Sequence, residues 1–269
     1  AYSTSPLSEI LQIVNLTGLY AYNLLVITFF TLPIIFFFKI GSIKKLLISF
    51  IIILILLSLY ILGNFQINKN HKLLKNISNK ISAKVVAPNF DLKYGLNHKE
   101  IEERLKKLIR YSEPNENKKT LFIWPEGVFS GYSYNEVLIF KDLINENFSK
   151  NHLILFGVNK LDKVSGNFYN SLLIVNNNLE ILQSYNKRKL VPFGEFLPFE
   201  NLLSNFGLKK ITEGHGSFIK GKKDKSLLID NLNILPLICY EVIFTNLIQK
   251  SDQNTNLIIN ISEDGWFGN

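Results

Sequence analysis

Three side chains with nucleophilic or acid–base chemistry, Glu126, Lys187 and Cys239, each follow an apolar segment typical of a buried strand. In open α/β sheets, catalytic groups gather beyond the carboxyl ends of the strands. At such an edge a partly desolvated glutamate can act as a general base, a lysine can stabilise an oxyanion, and a thiolate can attack a carbonyl carbon. The three preceding segments are residues 121–125, 181–185 and 235–238.

Each of these residues also has a simpler interpretation when it is taken alone. Cys239 is the only cysteine of the chain, so it cannot form an intrachain disulfide, and free cysteines are often buried core residues. Glu126 alone is compatible with a solvated loop carboxylate, and Lys187 with an ordinary basic loop. The catalytic interpretation of Cys239 rests on a predicted strand-to-helix turn, where the helix dipole would favour the thiolate.

The elements that would position these residues follow residue 80, where short apolar runs alternate with amphipathic helices. This alternation indicates an α/β layered domain, which we place at residues 81–269. Asn97 and Glu100 form a predicted capping pair for a helix with one apolar face. The members of that face are Ile101, Leu105, Leu108 and Ile109. Strands are predicted at residues 84–87, 120–124, 153–158, 171–175, 181–185, 234–239 and 257–261, and further helices at residues 136–148 and 241–249.

Residues 1–68 are predicted to form a membrane region with two transmembrane helices, at about residues 19–38 and 46–65. The alternative is a pair of buried helices in a soluble core, but core helices keep a polar stripe and residues 51–57 have none. Lysines at positions 39, 44 and 45 lie between the two segments. By the positive-inside rule they predict a cytoplasmic linker, which would place the following domain on the outer side.

Composition and charge exclude two classes of site. The net charge of +8 does not indicate nucleic-acid binding, because almost all basic residues are lysines and no aromatic-interleaved basic face is present. The four histidines lack the spacing of metal ligands, so no metal and no cofactor is expected. The chain has no methionine and stops just after a strand-like run, which we interpret as a fragment incomplete at both ends.

The order of the motifs and the residues within them indicate a family more specifically than any single residue does. A Glu after Trp-Pro, then Tyr-x-Lys before Leu-Val-Pro-Phe-Gly-Glu, then Cys-Tyr-Glu resembles the nitrilase superfamily of carbon-nitrogen hydrolases. The segments 169–171, 190–198 and 260–268, together with the membrane helices, resemble one branch of it, the apolipoprotein N-acyltransferases.

This resemblance implies an α-β-β-α sandwich, incomplete at its C-terminus. It also implies that Glu126 is the general base, Lys187 the oxyanion stabiliser and Cys239 the nucleophile. Tyr94 stands where the branch often has a tryptophan that contacts lipid. Four more residues match supporting or lipid-entrance positions of the branch: Glu195, Tyr240, Glu241 and Trp266.

The resemblance further implies the transfer of a fatty acyl chain from a phospholipid to the N-terminal α-amine of a diacylglyceryl-cysteine apolipoprotein. The acyl chain would be held on Cys239 as a thioester, in the final step of lipoprotein maturation. The protein would be a multi-pass monomer of the bacterial inner membrane, with its catalytic domain on the periplasmic side. Two alternatives remain: a membrane-tethered amidase or hydrolase of the same superfamily, and a non-catalytic membrane scaffold that binds lipoproteins.

Overall fold

The structure is a computed structural model that describes residues 7–75, 81–93, 95–199, 217–222, 226–249 and 254–263 of the 269-residue chain. It divides into two compact units, residues 1–80 and residues 81–269. The first unit is helical, and the second contains all the strands that the structure describes.

The first unit contains two helices that are long and apolar enough to cross a membrane, Val14–Phe37 and Ser42–Lys72. The first of them changes to a 3₁₀ helix at Leu32, with Pro33 in its opening turn, where a missing N–H costs no hydrogen bond. Large apolar side chains along both helices are exposed, and they need an apolar surrounding. The helical elements are α1 Ser8–Leu11, α2 Val14–Thr31, the 3₁₀ helix Leu32–Phe37 and α3 Ser42–Lys75.

The second unit is built on a five-stranded sheet in the order β1-β2-β3-β4-β5. The first three strands are parallel, and β4 and β5 continue the sheet in antiparallel pairs. β5 therefore runs in the same direction as β2 and β3, so these three strands end at one edge of the sheet. The strands are β1 Ser82–Val85, β2 Thr120–Ile123, β3 His152–Leu161, β4 Phe168–Val175 and β5 Ile181–Asn186.

A second sheet has three strands in the order β6-β7-β8, with β6 antiparallel and β8 parallel to the central β7. Its strands are β6 Leu227–Ile229, β7 Leu232–Ile238 and β8 Leu257–Ile261. The remaining elements of the unit are α4 His98–Ser112, α5 Tyr134–Val137, the 3₁₀ helix Leu138–Phe140, α6 Lys141–Asn147, the 3₁₀ helix Cys239–Ile243 and α7 Thr245–Gln249.

The two sheets pack face to face with helices on both outer faces. Because side chains alternate along a strand, Leu121 points into the core between the sheets while its neighbour Phe122 packs beneath α4 and α6. In β7, Ile234 faces the first sheet, whereas Leu235 packs against α7. The structure therefore confirms the predicted α-β-β-α sandwich.

The helix after Asn97 forms as predicted. The Asn97 side chain accepts the Glu100 N–H, and the Glu100 carboxylate accepts the Asn97 N–H, which completes a capping box. Its four predicted core residues are buried. The Trp124 indole N–H donates to the Ser112 hydroxyl at 3.0 Å and fixes the end of the helix to the residue after β2.

Two predicted helices are split in the structure, and one of its strands was not predicted. The helix predicted at residues 136–148 is split into α5, a 3₁₀ turn and α6, and the one at 241–249 is split into a 3₁₀ helix and α7. The strand β6 was not predicted, because three residues are too short for a recognisable alternation. It pairs with β7 through a turn at Asp230, whose φ of 50° is one that Asp adopts more readily than most residues.

Candidate active site

Glu126 lies just beyond the carboxyl end of β2. The Trp124 N–H bonds the Leu155 carbonyl at 2.8 Å. Pro125 has no N–H to donate, and its carbonyl accepts the last bond from β3, the Gly157 N–H at 3.4 Å. The Glu126 N–H donates to the Ser262 carbonyl at 3.3 Å, and Ser262 is the residue that follows β8. This bond joins the ends of strands from the two sheets, so that Glu126 lies where the two sheets meet.

Lys187 follows β5, and its side chain is 1% exposed. Its backbone N–H bonds the Asn170 carbonyl at 2.8 Å, which extends the β4–β5 pairing by one residue. The ammonium group lies 2.8 Å from a Glu195 carboxylate oxygen and 3.4 Å from a Glu126 oxygen. A buried lysine needs such partners, and here two carboxylates supply them.

Cys239 follows β7 with a φ of 54°, a left-handed conformation that is uncommon for a non-glycine residue. Strained backbone of this kind clusters at active sites, because it turns the side chain away from the strand direction. The predicted sharp turn at Cys239 is present. The Ser262 side chain and the Tyr240 N–H both hydrogen-bond the thiol sulfur.

The charges of the site act on one another. Burial raises the pKa of the Glu126 carboxyl above its usual value, and the neighbouring Glu195 charge adds to this, while Lys187 and Asn170 oppose it. Burial alone would lower the pKa of Lys187, but the charges of Glu126 and Glu195 hold it above its usual value. Lys187 therefore stays a cation, and the proton affinity of the Glu126 carboxyl group is increased.

The thiol of Cys239 is protonated at rest. Burial, followed by the charge of Glu126, raises its pKa, against the opposing effects of Lys187 and Ser262. The expectation that a helix dipole would favour the thiolate is therefore wrong. The helix that begins at Cys239 is a five-residue 3₁₀ turn, too short to build a macrodipole that outweighs burial. A nucleophilic role for this thiol would therefore require a base that removes its proton.

Glu241, which is fully buried, connects the Cys239 turn to the Lys187 loop. Its carboxylate accepts the backbone N–H groups of Arg188 at 2.8 Å and Ile238 at 3.0 Å. The same carboxylate also accepts the Lys189 N–H and the Tyr185 hydroxyl. One buried carboxylate thus fixes the residue before Cys239 relative to the loop that carries Lys187.

Glu195 is held by a tight turn. Its N–H bonds the Val191 carbonyl, and its second carboxylate oxygen accepts the Val191 N–H at 2.9 Å. The segment 217–222 passes alongside: the Phe218 N–H bonds the Glu195 carbonyl and the Gly221 N–H bonds the Lys187 carbonyl, both at 2.8 Å. This segment therefore fixes the backbones of both residues that form the buried ion pair.

The structure brings together six of the eight residues singled out in the sequence. Tyr240 joins the group through its ring, which lies 5.9 Å from the Lys187 ammonium, and its hydroxyl donates to the Leu190 carbonyl. Tyr94 and Trp266 lie outside the described residues. Within the described part of the chain, no group of three or more His, Cys, Asp or Glu residues could hold a metal ion.

Sequence reasoning did not assign three residues that contact this group: Asn170, Tyr185 and Ser262. Asn170 and Ser262 lie in the segments that resemble the acyltransferase branch, and Tyr185 opens the Tyr-x-Lys motif. The available signal was a polar residue at the end of an otherwise apolar strand. It is a weak signal, because such residues are also common as solvated strand ends.

Gly157 on β3 permits the close approach of the Glu126 loop. A Cβ atom there would lie 2.5 Å from the Glu126 carbonyl oxygen and 2.7 Å from its Cα. Gly157→Ala is therefore expected to displace Glu126 and to lower the free energy of unfolding by about 1–3 kcal/mol, measured by thermal denaturation. The matched control is Gly41→Ala, where a Cβ meets nothing within 4 Å. Equal melting temperatures for both variants would contradict this account.

Two curated proteins with similar sequences carry the same name, apolipoprotein N-acyltransferase. An apolipoprotein N-acyltransferase from Rhodopseudomonas palustris is 29% identical over 201 residues, which cover 70% of this chain and 37% of the relative. One from Bradyrhizobium diazoefficiens is 34% identical over 155 residues, which cover 55% of this chain and 29% of the relative. The chain therefore spans well under two thirds of the length of these curated relatives.

Among solved structures, a carbon-nitrogen hydrolase from Helicobacter pylori matches with a TM-score of 0.44 at 14% identity, over 68% of this chain and 59% of that chain. The sequence profile of the carbon-nitrogen hydrolases matches residues 91–269, well over half of the chain. The chain therefore belongs to the carbon-nitrogen hydrolase family.

Proposed function

We propose that this protein is an acyltransferase that passes a fatty acyl chain from a phospholipid to the N-terminal α-amine of a diacylglyceryl-cysteine apolipoprotein. The observation that supports the chemistry is the meeting of Glu126, Lys187 and Cys239 at the ends of β2, β5 and β7, where burial raises the pKa values of the Glu126 carboxyl and of the Cys239 thiol. We propose acyl transfer to an amine, and not hydrolysis, because the similar curated proteins are named apolipoprotein N-acyltransferases.

In the first half-reaction, Glu126 takes the Cys239 thiol proton as the sulfur attacks the ester carbonyl carbon of the phospholipid. Lys187 stabilises the oxyanion of the tetrahedral intermediate. The carbon–oxygen ester bond then breaks, and the departing alkoxide receives the proton from Glu126. The lysophospholipid leaves, and the acyl chain remains on Cys239 as a thioester.

In the second half-reaction, the α-amine of the apolipoprotein attacks the thioester carbonyl, and Glu126 accepts a proton from that amine. The carbon–sulfur bond breaks, and the Cys239 thiolate recovers the proton from Glu126. The product is an amide, and the site returns to its starting protonation state. In each half-reaction Glu126 accepts one proton and returns it, so the residues of the site account for every proton moved. Neither half-reaction includes a redox step.

Apolar surface beside the nucleophile supports an acyl substrate. Val242 and Ile243 lie in the same 3₁₀ turn as Cys239 and are 45% and 62% exposed, and Phe193 in the neighbouring turn is 45% exposed. Exposed apolar side chains at a reactive centre suit a hydrocarbon chain better than a polar amide. They favour the acyltransferase over the tethered amidase.

The two apolar helices would anchor the protein in the lipid bilayer, where both substrates are held. The proposed location is the bacterial inner membrane, as a multi-pass monomer with the catalytic unit on the periplasmic side. Glu195, Tyr240 and Glu241 support the three reacting side chains in this proposal, and Tyr94 and Trp266 contact the lipid substrates.

The test uses the intact protein in detergent micelles, a phospholipid with a labelled acyl chain and a diacylglyceryl-cysteine peptide. We expect a labelled amide on the peptide by mass spectrometry, none with an N-acetylated peptide, and none with Cys239→Ala. Release of labelled free fatty acid without labelled peptide would instead identify a hydrolase. Binding of the peptide without any turnover would identify a scaffold and overturn the catalytic proposal.

A further inference from the structure

The side chain of Asn170 lies between the two carboxylates of the site. Its amide nitrogen is 2.8 Å from Glu126 Oε1 and 2.8 Å from Glu195 Oε1. A side-chain amide has two N–H groups, and here each is directed to a different carboxylate. The orientation of the amide is fixed, because its carbonyl oxygen could not face two carboxylate oxygens.

The backbone of Asn170 is equally constrained. The residue lies near the start of β4, is only 9% exposed, and its carbonyl accepts the Lys187 N–H at 2.8 Å. The next residue, Ser171, donates its hydroxyl to Asn186 at 2.8 Å, which fixes the strand on the other side. Asn170 therefore contacts Glu126, Glu195 and Lys187 from a rigid position within the sheet.

Asn170 is a closer donor to the base than the lysine is. The Lys187 ammonium lies 2.8 Å from Glu195 but 3.4 Å from Glu126, so the cation is shared unequally. Two carboxylates share this one cation, which leaves one negative charge in excess, and like charges repel at this range. The short neutral hydrogen bonds from Asn170 offset that repulsion without adding a charge.

We propose that Asn170 is a positioning residue that holds Glu126 as an ionised base and selects the oxygen that receives the thiol proton. This proposal rests on the proposed role of Glu126. Both Asn170 and Lys187 bond Oε1 of Glu126, so Oε2 is left to take the proton from Cys239. A neutral amide suits this task, because a second cation at that point would make the carboxylate a weaker base.

The hydrogen bond from Asn170 changes the pKa of Glu126 in a definite direction. Hydrogen bonds to the charged form of a carboxyl group lower its pKa, and the bond from Asn170 does so at Glu126. Removing the donor keeps Glu126 protonated up to a higher pH. A carboxylate in place of the amide raises the pKa further, through charge repulsion. Because Glu126 can accept the thiol proton only when it is ionised, Glu126-assisted alkylation of Cys239 then needs a higher pH in both variants.

The experiment measures the rate of Cys239 alkylation by iodoacetamide as a function of pH, in the intact protein without lipid substrate. For Asn170→Asp we expect the midpoint of the pH profile to move upward by about one pH unit, which is about a tenfold slower reaction below the midpoint. Asn170→Ser is expected to move it in the same direction by less.

Matched controls are Asn177→Asp and Asn177→Ser. Asn177 lies in the turn after β4 and donates only to Asn145, at 2.7 Å, so its replacement should leave the profile unchanged. Melting temperatures show which variants are folded, and Asn170→Ser carries the test if Asn170→Asp does not fold. A folded Asn170→Ser variant with the parent midpoint overturns the proposal, whatever its activity.

Alkylation reports the reactivity of the thiol and requires no acyl donor. A shifted midpoint in a protein that fails to acylate the peptide would therefore refute the proposed substrates and keep the role of Asn170. An unchanged midpoint in a protein that transfers acyl chains would refute the role of Asn170 alone.

Discussion

Replacing Lys187 with methionine is expected to slow formation of the acyl-enzyme by about 100- to 1,000-fold, because one preorganised donor to an oxyanion contributes that much to the rate. Methionine keeps most of the unbranched side chain and removes the charge together with the three N–H donors of the ammonium group. The loss also leaves Glu126 and Glu195 without their shared cation, so the pKa of Glu126 rises further and less of the base is ionised at neutral pH.

The rate is measured in single turnovers, by quenching with acid and quantifying acylated protein by mass spectrometry. Lys160→Met is the matched control. Lys160 is on β3 of the same sheet, and its ammonium contacts the Ser184 hydroxyl at 3.1 Å, outside the group around Cys239. A Lys187→Met rate within about threefold of the control would mean that the ammonium does not act on the transition state.

Replacing Glu241 with glutamine is expected to lower the free energy of unfolding by about 2–3 kcal/mol, because buried donors lose a charged acceptor. The Glu241 carboxylate accepts three backbone N–H groups and the Tyr185 hydroxyl, and an amide NH₂ group would face at least one of those donors. The turn at Cys239 and the Lys187 loop would separate, so acyl-enzyme formation should fall together with stability.

Unfolding can be followed by the fluorescence of Trp124, which is fully buried beside β2. Glu146→Gln is the matched control, because Glu146 is an exposed residue of α6. If both variants unfold at the same denaturant concentration, Glu241 is not the residue that fixes the two loops.

The strands and the helix after Asn97 could be predicted because their information is local. Apolar runs that end in Pro or in a charged residue predict strand ends, and Asn97 with Glu100 predicts a helix start. The predicted helix at 136–148 failed in detail, because its continuous apolar periodicity does not reveal where the backbone tightens to a 3₁₀ turn around Leu138–Phe140.

The site could be predicted only in part. Glu126, Lys187 and Cys239 are singled out by residue type and by their place after strands, and their roles are implied by the resemblance to the nitrilase superfamily. Their proximity depends on the strand order β2-β3-β4-β5 and on the packing of two sheets, which periodicity does not encode. The shift of the Cys239 pKa was predicted with the wrong sign, because its burial depends on chain segments far away in sequence.

Asn170 is the clearest example of information that only the structure supplies. In the sequence it is one of many asparagines in an Asn-rich chain, and it precedes an apolar strand. Its function follows from the register of β4 with β5, which sets it beside Lys187, and from the loops that carry Glu126 and Glu195 to its amide.

If Cys239 carries the acyl chain, the chain must be found on this residue before any acceptor is added. The most direct measurement is the mass of the Cys239 peptide after the intact protein has been incubated with phospholipid alone. We expect an added fatty acyl mass that hydroxylamine removes, as it removes a thioester. This mass should be absent from Cys239→Ala and strongly reduced in Glu126→Gln. An acyl adduct that persists in Cys239→Ala, or is stable to hydroxylamine, would contradict this expectation.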